Sequence, residues 1–238
     1  EVGNIIINQP SSSAIVYLLS LLSILIGLYF LKDHKHLLSR KWWGISILIG
    51  GIGAFLAGTS YQAFGYELKC VGRQYCIWTN WLEISYEILT IISAGALLIA
   101  IAYSCFSKKW QKTCRVIAIF NTLIYLTIII IGLISTNRFL LSFELMLCFI
   151  GPIYLVIMYI NIIDYIKTRE KIVGQLIISW IILFSTISLY YLYLISGTTQ
   201  LLWKNGIWFS DNDVLHIGMI GWLMYIYLVL NKSLKDRY

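Results

Sequence analysis

Seven stretches of roughly twenty or more apolar residues dominate the chain, and that is the length a helix needs to cross the hydrocarbon layer of a membrane. They lie near 13–31, 42–64, 77–106, 114–135, 139–163, 174–196 and 214–230. A chain built this way is expected to be all-α, a polytopic bundle of seven transmembrane helices. Hydrophobic residues make up 59% of it and charged residues 12%, with a mean hydropathy of +0.80, far from the balance of a soluble domain. Two prolines, seventeen glycines and no Ser/Pro-rich linker or charged tail leave no room for a separate soluble unit, so residues 1–238 read as one transmembrane domain. The segment 1–12 lacks a basic stretch, so the first run reads as a permanent span rather than a cleaved signal.

The net charge of +7 would suggest nucleic acid in a soluble protein. Here the bases sit in short loops beside apolar runs, where they set orientation, and the nucleic-acid reading is dropped. Fourteen of them follow spans one, three, five and seven: Lys32, Lys35, Arg40 and Lys41, then Lys108, Lys109, Lys112 and Arg115, then Lys167, Arg169 and Lys171, then Lys232, Lys235 and Arg237. Only Lys69, Arg73, Arg138 and Lys204 fall on the other side. This split predicts a cytoplasmic C-terminus and an N-terminus outside or in a lumen. Cys70 and Cys76 then share an outward loop, where a disulfide between them is expected. Cys105, Cys114 and Cys148 lie in or at the ends of spans, and no CxxC pair or Cys/His cluster suggests structural zinc.

Ionisable groups inside spans are costly in hydrocarbon and usually face a bundle interior or a water cavity. Span seven opens with Asp211, Asn212 and Asp213, and His216 follows three residues after Asp213, on the same helical face. Span two closes on the polar run Gly58, Thr59, Ser60, Tyr61, Gln62, while Asn80, Glu83 and Glu87 form one stripe at the start of span three and Glu144 opens span five. All lie within a few turns of the same surface. They are expected to line one shared, outward-opening pocket in which close carboxylates cannot all ionise. A plainer reading stands beside this one: Asp211 and Asn212 as helix caps, Glu87 as an interhelical bond, and His216 as a satisfied structural histidine. Trp42, Trp43, Trp78, Trp81, Trp203 and Trp208 fall at span ends and read as interfacial belts. Gly50, Gly51, Gly53 and Gly58 read as a close-packing face, and His34 and His36 as solvated.

Seven spans, the GTSYQAF segment closing span two, the acids opening span three and NDVLHIGMIGW opening span seven resemble the superfamily of alkaline ceramidases, adiponectin and progestin receptors and hemolysin III proteins. That resemblance implies a metal site, usually zinc, formed by one His ending span two and two His opening span seven, with an acid and a serine nearby. By position Gln62 stands for the first His, Asn212 and His216 for the pair, and Glu83 for the acid. Only His216 matches. Amides bind zinc poorly, so zinc is possible but disfavoured; a weaker metal set of His216, Glu83 and Asp213 remains conceivable.

The favoured expectation is a pocket for a membrane lipid or small amphiphile, lined by Tyr61, Gln62, Asn80, Glu87, Glu144 and Asn212. The first alternative is a membrane-embedded hydrolase of lipid amides or esters, with His216, Asp213 and Glu83 as catalytic groups. The second is a proton- or ion-coupled carrier using the carboxylates as relays. A retinal protein is disfavoured because span seven carries no lysine.

Overall fold

A computed structural model of the chain describes residues 6–33 and 36–237; His34 and Lys35 of the expected basic loop lie outside them. Backbone amides in hydrocarbon have no water to bond, so a segment that stays there satisfies them internally, as a helix. Seven helices are long and apolar enough to cross a membrane. They are α1 (Pro10–Lys32), α2 (Leu38–Ala57), α3 (Trp81–Cys105), α4 (Lys108–Ser135), α5 (Phe143–Thr168), α6 (Lys171–Ile195) and α7 (Asp211–Leu228). A π-helical turn, Gly58–Ala63, prolongs α2, and short helices Gly65–Lys69 and Thr198–Lys204 fill the loops.

All seven expected runs are helical, and their ends moved for local reasons. The third starts at Trp81 because the Asn80 side chain caps it, accepting from the amides of Leu82 and Glu83 at 2.9 and 3.2 Å. The fourth starts six residues before the expected Cys114, because Lys108, Lys109 and Lys112 stop an apolar run without stopping a helix. The fifth starts at Phe143, after a 3₁₀ turn at Phe139–Leu141.

The helices close a ring: α1 packs on α2 and α7, α2 on α3, α3 on α5, α5 on α6 and α6 on α7, while α4 packs on the outside of α3 and barely touches α5. α3 is the central helix, buried without a break from Ala94 to its end at Cys105. The glycines expected as one packing face in fact serve two. Gly44, Gly51 and Gly58, seven apart, meet α1, where a Cβ on Gly51 would lie 2.7 Å from Ser23 Cβ and one on Gly58 2.4 Å from Val16 Cγ1. Gly50 and Gly53 turn to α3 instead, against Ser93 and Leu89. Hydroxyls stitch the same seams. Ser20 Oγ donates to the carbonyl of Gly51 at 2.8 Å, and Ser46 and Ser93 each donate to the other's carbonyl at 2.8 and 2.9 Å. On the far side of the ring Trp222 Nε1 donates to Ser179 Oγ at 2.8 Å, joining α7 to α6.

Of the tryptophans expected in interfacial belts, Trp78, Trp81 and Trp208 are exposed at the end of the bundle carrying the Cys70–Cys76 loop. Trp43 is a correction: it is 1% exposed and packs in the interior with Phe30, Ile101 and Leu223. α2 begins at Leu38, so residue 43 is already more than a turn inside it.

The opposite, basic end is tied by the C-terminal residues. Asp236 accepts from the amides of Leu38 and Ser39 at 2.7 and 2.8 Å, capping α2, and Arg237 reaches Asp164 at 2.8 Å, Glu170 at 3.1 Å and the carbonyl of Cys105. Lys235 pairs with Glu170 at 2.8 Å. Lys235 and Arg237, counted above only for orientation, therefore also latch α3, α5 and the α5–α6 turn, and Asp236 between them holds α2.

Three outcomes follow for thermal unfolding in detergent. A Cβ on Gly27 would meet the backbone N and Cα of Leu48 at 2.7 and 2.9 Å, so Gly27→Ala is expected to cost about 1–3 kcal/mol. Gly221→Ala, with nothing within 4 Å, gains up to about 1 kcal/mol from helix propensity. The Lys235 hydrogen bond holds the Glu170 carboxyl below its usual range against partial burial, with Arg237 adding to it. A carboxyl depressed in the folded state stabilises above its unfolded value, and that contribution disappears as pH falls through the folded value. Glu170→Gln is thus expected to lower Tm at neutral pH, and its difference from wild type to close below the ordinary carboxylate range.

Candidate functional site

The polar run that ends α2 does not continue as an α-helix. Gly58–Ala63 widens into a π turn, which Phe64 closes by donating its amide to the carbonyl of Thr59 at 2.9 Å. Such turns are uncommon and concentrate at functional sites. This one places Ser60 against the head of α3. Asn80 Nδ2 donates to Ser60 Oγ at 2.6 Å, and Ser60 Oγ donates to Glu83 Oε1 at 2.8 Å.

Glu83 is 2% exposed, so its charge needs a partner, and Lys69 at the end of the short helix Gly65–Lys69 forms an ion pair with it. Lys69 Nζ also donates to the carbonyl of Trp78 at 3.3 Å and lies 5.2 Å from the centre of the Tyr61 ring. The next residue is Cys70, joined to Cys76 by the expected disulfide. The bridge pins the loop that carries Lys69. A pocket of about 260 Å³ opens over this cluster, walled by Asn8, Ser60, Tyr61, Gly65, Tyr66 and Lys69.

A second network lies at the head of α7. Ser210 and Asp213 form its capping box, with the Ser210 amide donating to Asp213 Oδ2 at 2.6 Å, and Ser11 Oγ donates to the same oxygen at 3.0 Å. Ser12 and Ser210 share a hydrogen bond of 2.8 Å, and Thr199 Oγ1 donates to Asp211 at 3.0 Å. Capping is therefore done by Ser210 and Asp213, not by Asp211 and Asn212. Gln9 joins the two networks, its amide donating to the carbonyl of Gln62 at 2.9 Å and its side chain accepting from Asn212 Nδ2 at 3.2 Å. His216 Nδ1, Asp213 Oδ1 and Gln62 Oε1 are buried with no hydrogen-bond partner among the described residues.

The expected single cavity is thus resolved into separate groups. Tyr61 walls the pocket, while Asn80 and Glu83 do not line it and bond to Ser60 behind its wall. Glu87, 1% exposed, accepts from Tyr125 Oη on α4 at 2.8 Å, the interhelical bond that was its plainer reading. Glu144 is exposed in the first turn of α5. Asn212 and Gln62 meet Gln9 rather than the pocket. Among the described residues no three of His, Cys, Asp or Glu are grouped so as to hold a metal ion. His216, Glu83 and Asp213 therefore do not form the metal set considered from the sequence, because Glu83 is bonded into the α2–α3 seam while Asp213 is bonded to α1 and to its own helix end.

Lys69 and the residues Asn8, Gln9, Ser11 and Ser12 were not singled out from the sequence. Lys69 read as a loop base, although its place beside a bridged cysteine marks it as a held side chain. The other four precede or open the first apolar run, and only the ring closure of α1 between α2 and α7 brings them to the sites.

Removing one partner of a buried ion pair leaves the other uncompensated. Lys69→Met is therefore expected to cost about 3 kcal/mol in thermal unfolding, and the double variant Lys69→Met/Glu83→Gln to recover most of it. No protein-family model, curated protein or solved structure matches the chain, so what the site does is argued from its geometry.

Proposed function

We propose that the chain is a multi-pass membrane protein whose disulfide end faces the non-cytoplasmic side and whose Ser60–Tyr61–Lys69 pocket binds the polar head of a lipid or other small amphiphile. The orientation rests on the fourteen bases that follow spans one, three, five and seven in the sequence and on the disulfide, which forms in oxidising compartments. Membrane placement rests on the seven apolar helices and on their outward faces, where Leu21, Phe120, Ile131, Leu155 and Leu192 are all about half exposed or more.

The observation that carries the binding reading is the pocket itself. Its walls offer the Asn8 amide and the Tyr61 and Tyr66 phenols, no acid lines it, and the charge of Lys69 is already met by Glu83 beneath. Such a lining matches a head with hydroxyl or amide groups and no strong net charge, while the tail lies along the apolar flanks. Binding is favoured over hydrolysis by the state of Ser60. It is 0% exposed, its proton is committed to Glu83, and its oxygen already accepts from Asn80. The imidazole of His216 lies on α7 and is not among the residues that wall the pocket.

The test is native mass spectrometry of the full chain released from detergent. Wild type is expected to retain a neutral-headed lipid, and Tyr66→Phe or Asn8→Ala to weaken retention about fivefold each, the value of one neutral hydrogen bond. Unchanged retention in both variants would remove the pocket from the binding reading. Release of a fatty acid by wild type, abolished in Ser60→Ala, would replace binding by hydrolysis.

A further inference from the structure

A larger cavity than the pocket over Ser60 lies at the other end of the bundle. α4 and α5, consecutive in the chain, barely touch, and between them a groove of about 650 Å³ opens toward the surroundings of the bundle. Its floor is interior: Leu98 and Cys105 of α3, Cys114 of α4 and Ile157 of α5 are all 6% exposed or less. Its rim is open, with Trp110 59% and Val156 55% exposed. Trp110, Cys114 and Ile117 recur along one face of α4, and Ile153, Val156 and Ile160 along one face of α5, so the groove follows the helices. Apart from Ser107 at its mouth, every lining side chain is apolar.

An apolar trough at hydrocarbon depth is filled by whatever apolar group lies beside it, and its volume is that of a ligand site. The charges at its mouth narrow the occupant. Lys108 and Lys109 open α4 directly after Ser107, and Lys167 continues the groove-facing stripe of α5 two turns beyond Ile160. All three are exposed, and none makes an ion pair among the described residues. Neighbouring bases are engaged otherwise: Arg115 stacks on Tyr103, Arg169 on Tyr165, and Arg237 pairs with Asp164 and Glu170.

We propose that this groove is a site for an anionic glycerophospholipid of the adjacent leaflet, one acyl chain lying between α4 and α5 and the phosphate held by Lys108, Lys109 and Lys167. The chain supplies apolar contact along the floor, and the lysines supply selection by charge, as juxtamembrane bases do for acidic lipids. The site is at the opposite end of the bundle from the pocket over Ser60 and does not depend on what that pocket binds. It rests on the membrane placement alone.

The full chain is reconstituted in mixed phosphatidylcholine and phosphatidylglycerol vesicles, re-extracted, and the retained lipid measured by native mass spectrometry. Wild type is expected to hold phosphatidylglycerol in preference to phosphatidylcholine. Each of Lys108→Gln, Lys109→Gln and Lys167→Gln is expected to reduce that preference about fivefold. Val156→Trp adds bulk at an exposed rim position and is expected to lower retention of both lipids while Tm is kept. Equal retention of the two lipids by wild type would overturn the proposal, as would retention unaltered in the lysine variants and in Val156→Trp. A dimer that Val156→Trp dissociates, with no phosphatidylglycerol retained, would overturn it in favour of a second copy in the groove.

Discussion

In a lipid surrounding, apolar side chains gain little by leaving one hydrocarbon phase for another, so helices are held where their backbones can come close and where polar groups can bond across the gap. In this chain both conditions are met along α1, α2 and α3. Gly27, Gly44, Gly51 and Gly58 let α1 and α2 approach until a single added carbon would collide. Ser20, Ser46 and Ser93 place hydrogen bonds in the narrow seams that result. The antiparallel register set by Ser46 and Ser93 carries on toward the far end of α2, where Ser60 meets Asn80 and Glu83. The pocket is the end of a packing seam, not an addition to it.

The same seam explains why a buried carboxylate is tolerated there. Glu83 is removed from water by the approach of α2 to α3, and the cost of a lone charge in such a place is several kcal/mol. Two groups offset it, the Ser60 hydroxyl and the Lys69 ammonium, and the Cys70–Cys76 disulfide pins the loop that carries Lys69. The π turn at Gly58–Ala63 is part of this arrangement, since it sets Ser60 toward α3 just beyond the last close contact of Gly58 with Val16.

The two ends of the bundle are built on different principles. At the disulfide end polar side chains from α1, the π turn, α3 and α7 bond to one another and leave a small hydrogen-bonding pocket. At the basic end Asp236 and Arg237 clamp the helix termini, while the groove between α4 and α5 stays open and apolar. Pro152 contributes to that opening, lying on the groove face of α5, where it also withholds one backbone donor from the helix. One molecule thus offers a polar recess at one end and an apolar trough edged with lysines at the other.

Much of this architecture was legible in the residues alone. Runs of apolar side chains long enough to cross hydrocarbon leave the backbone only internal bonding, so seven helices and their approximate limits follow from length and hydropathy, and the shared loop of Cys70 and Cys76 favoured a bridge over two free thiols, as found. The depth of Ser60, Asn80, Glu83, Asp213 and His216 was legible too, because position along a helix is distance along its axis. Which of them meet was decided only by tertiary structure, because that depends on how each helix is rotated and on which neighbour it touches. The chain order does not say that α1 sits between α2 and α7, and that placement puts Gln9 and Ser11 between Gln62 and Asp213 and keeps His216 from Glu83. Nor does a run of apolar residues say that α4 and α5 stand apart, since the same hydrophobic surface serves equally for packing and for facing lipid.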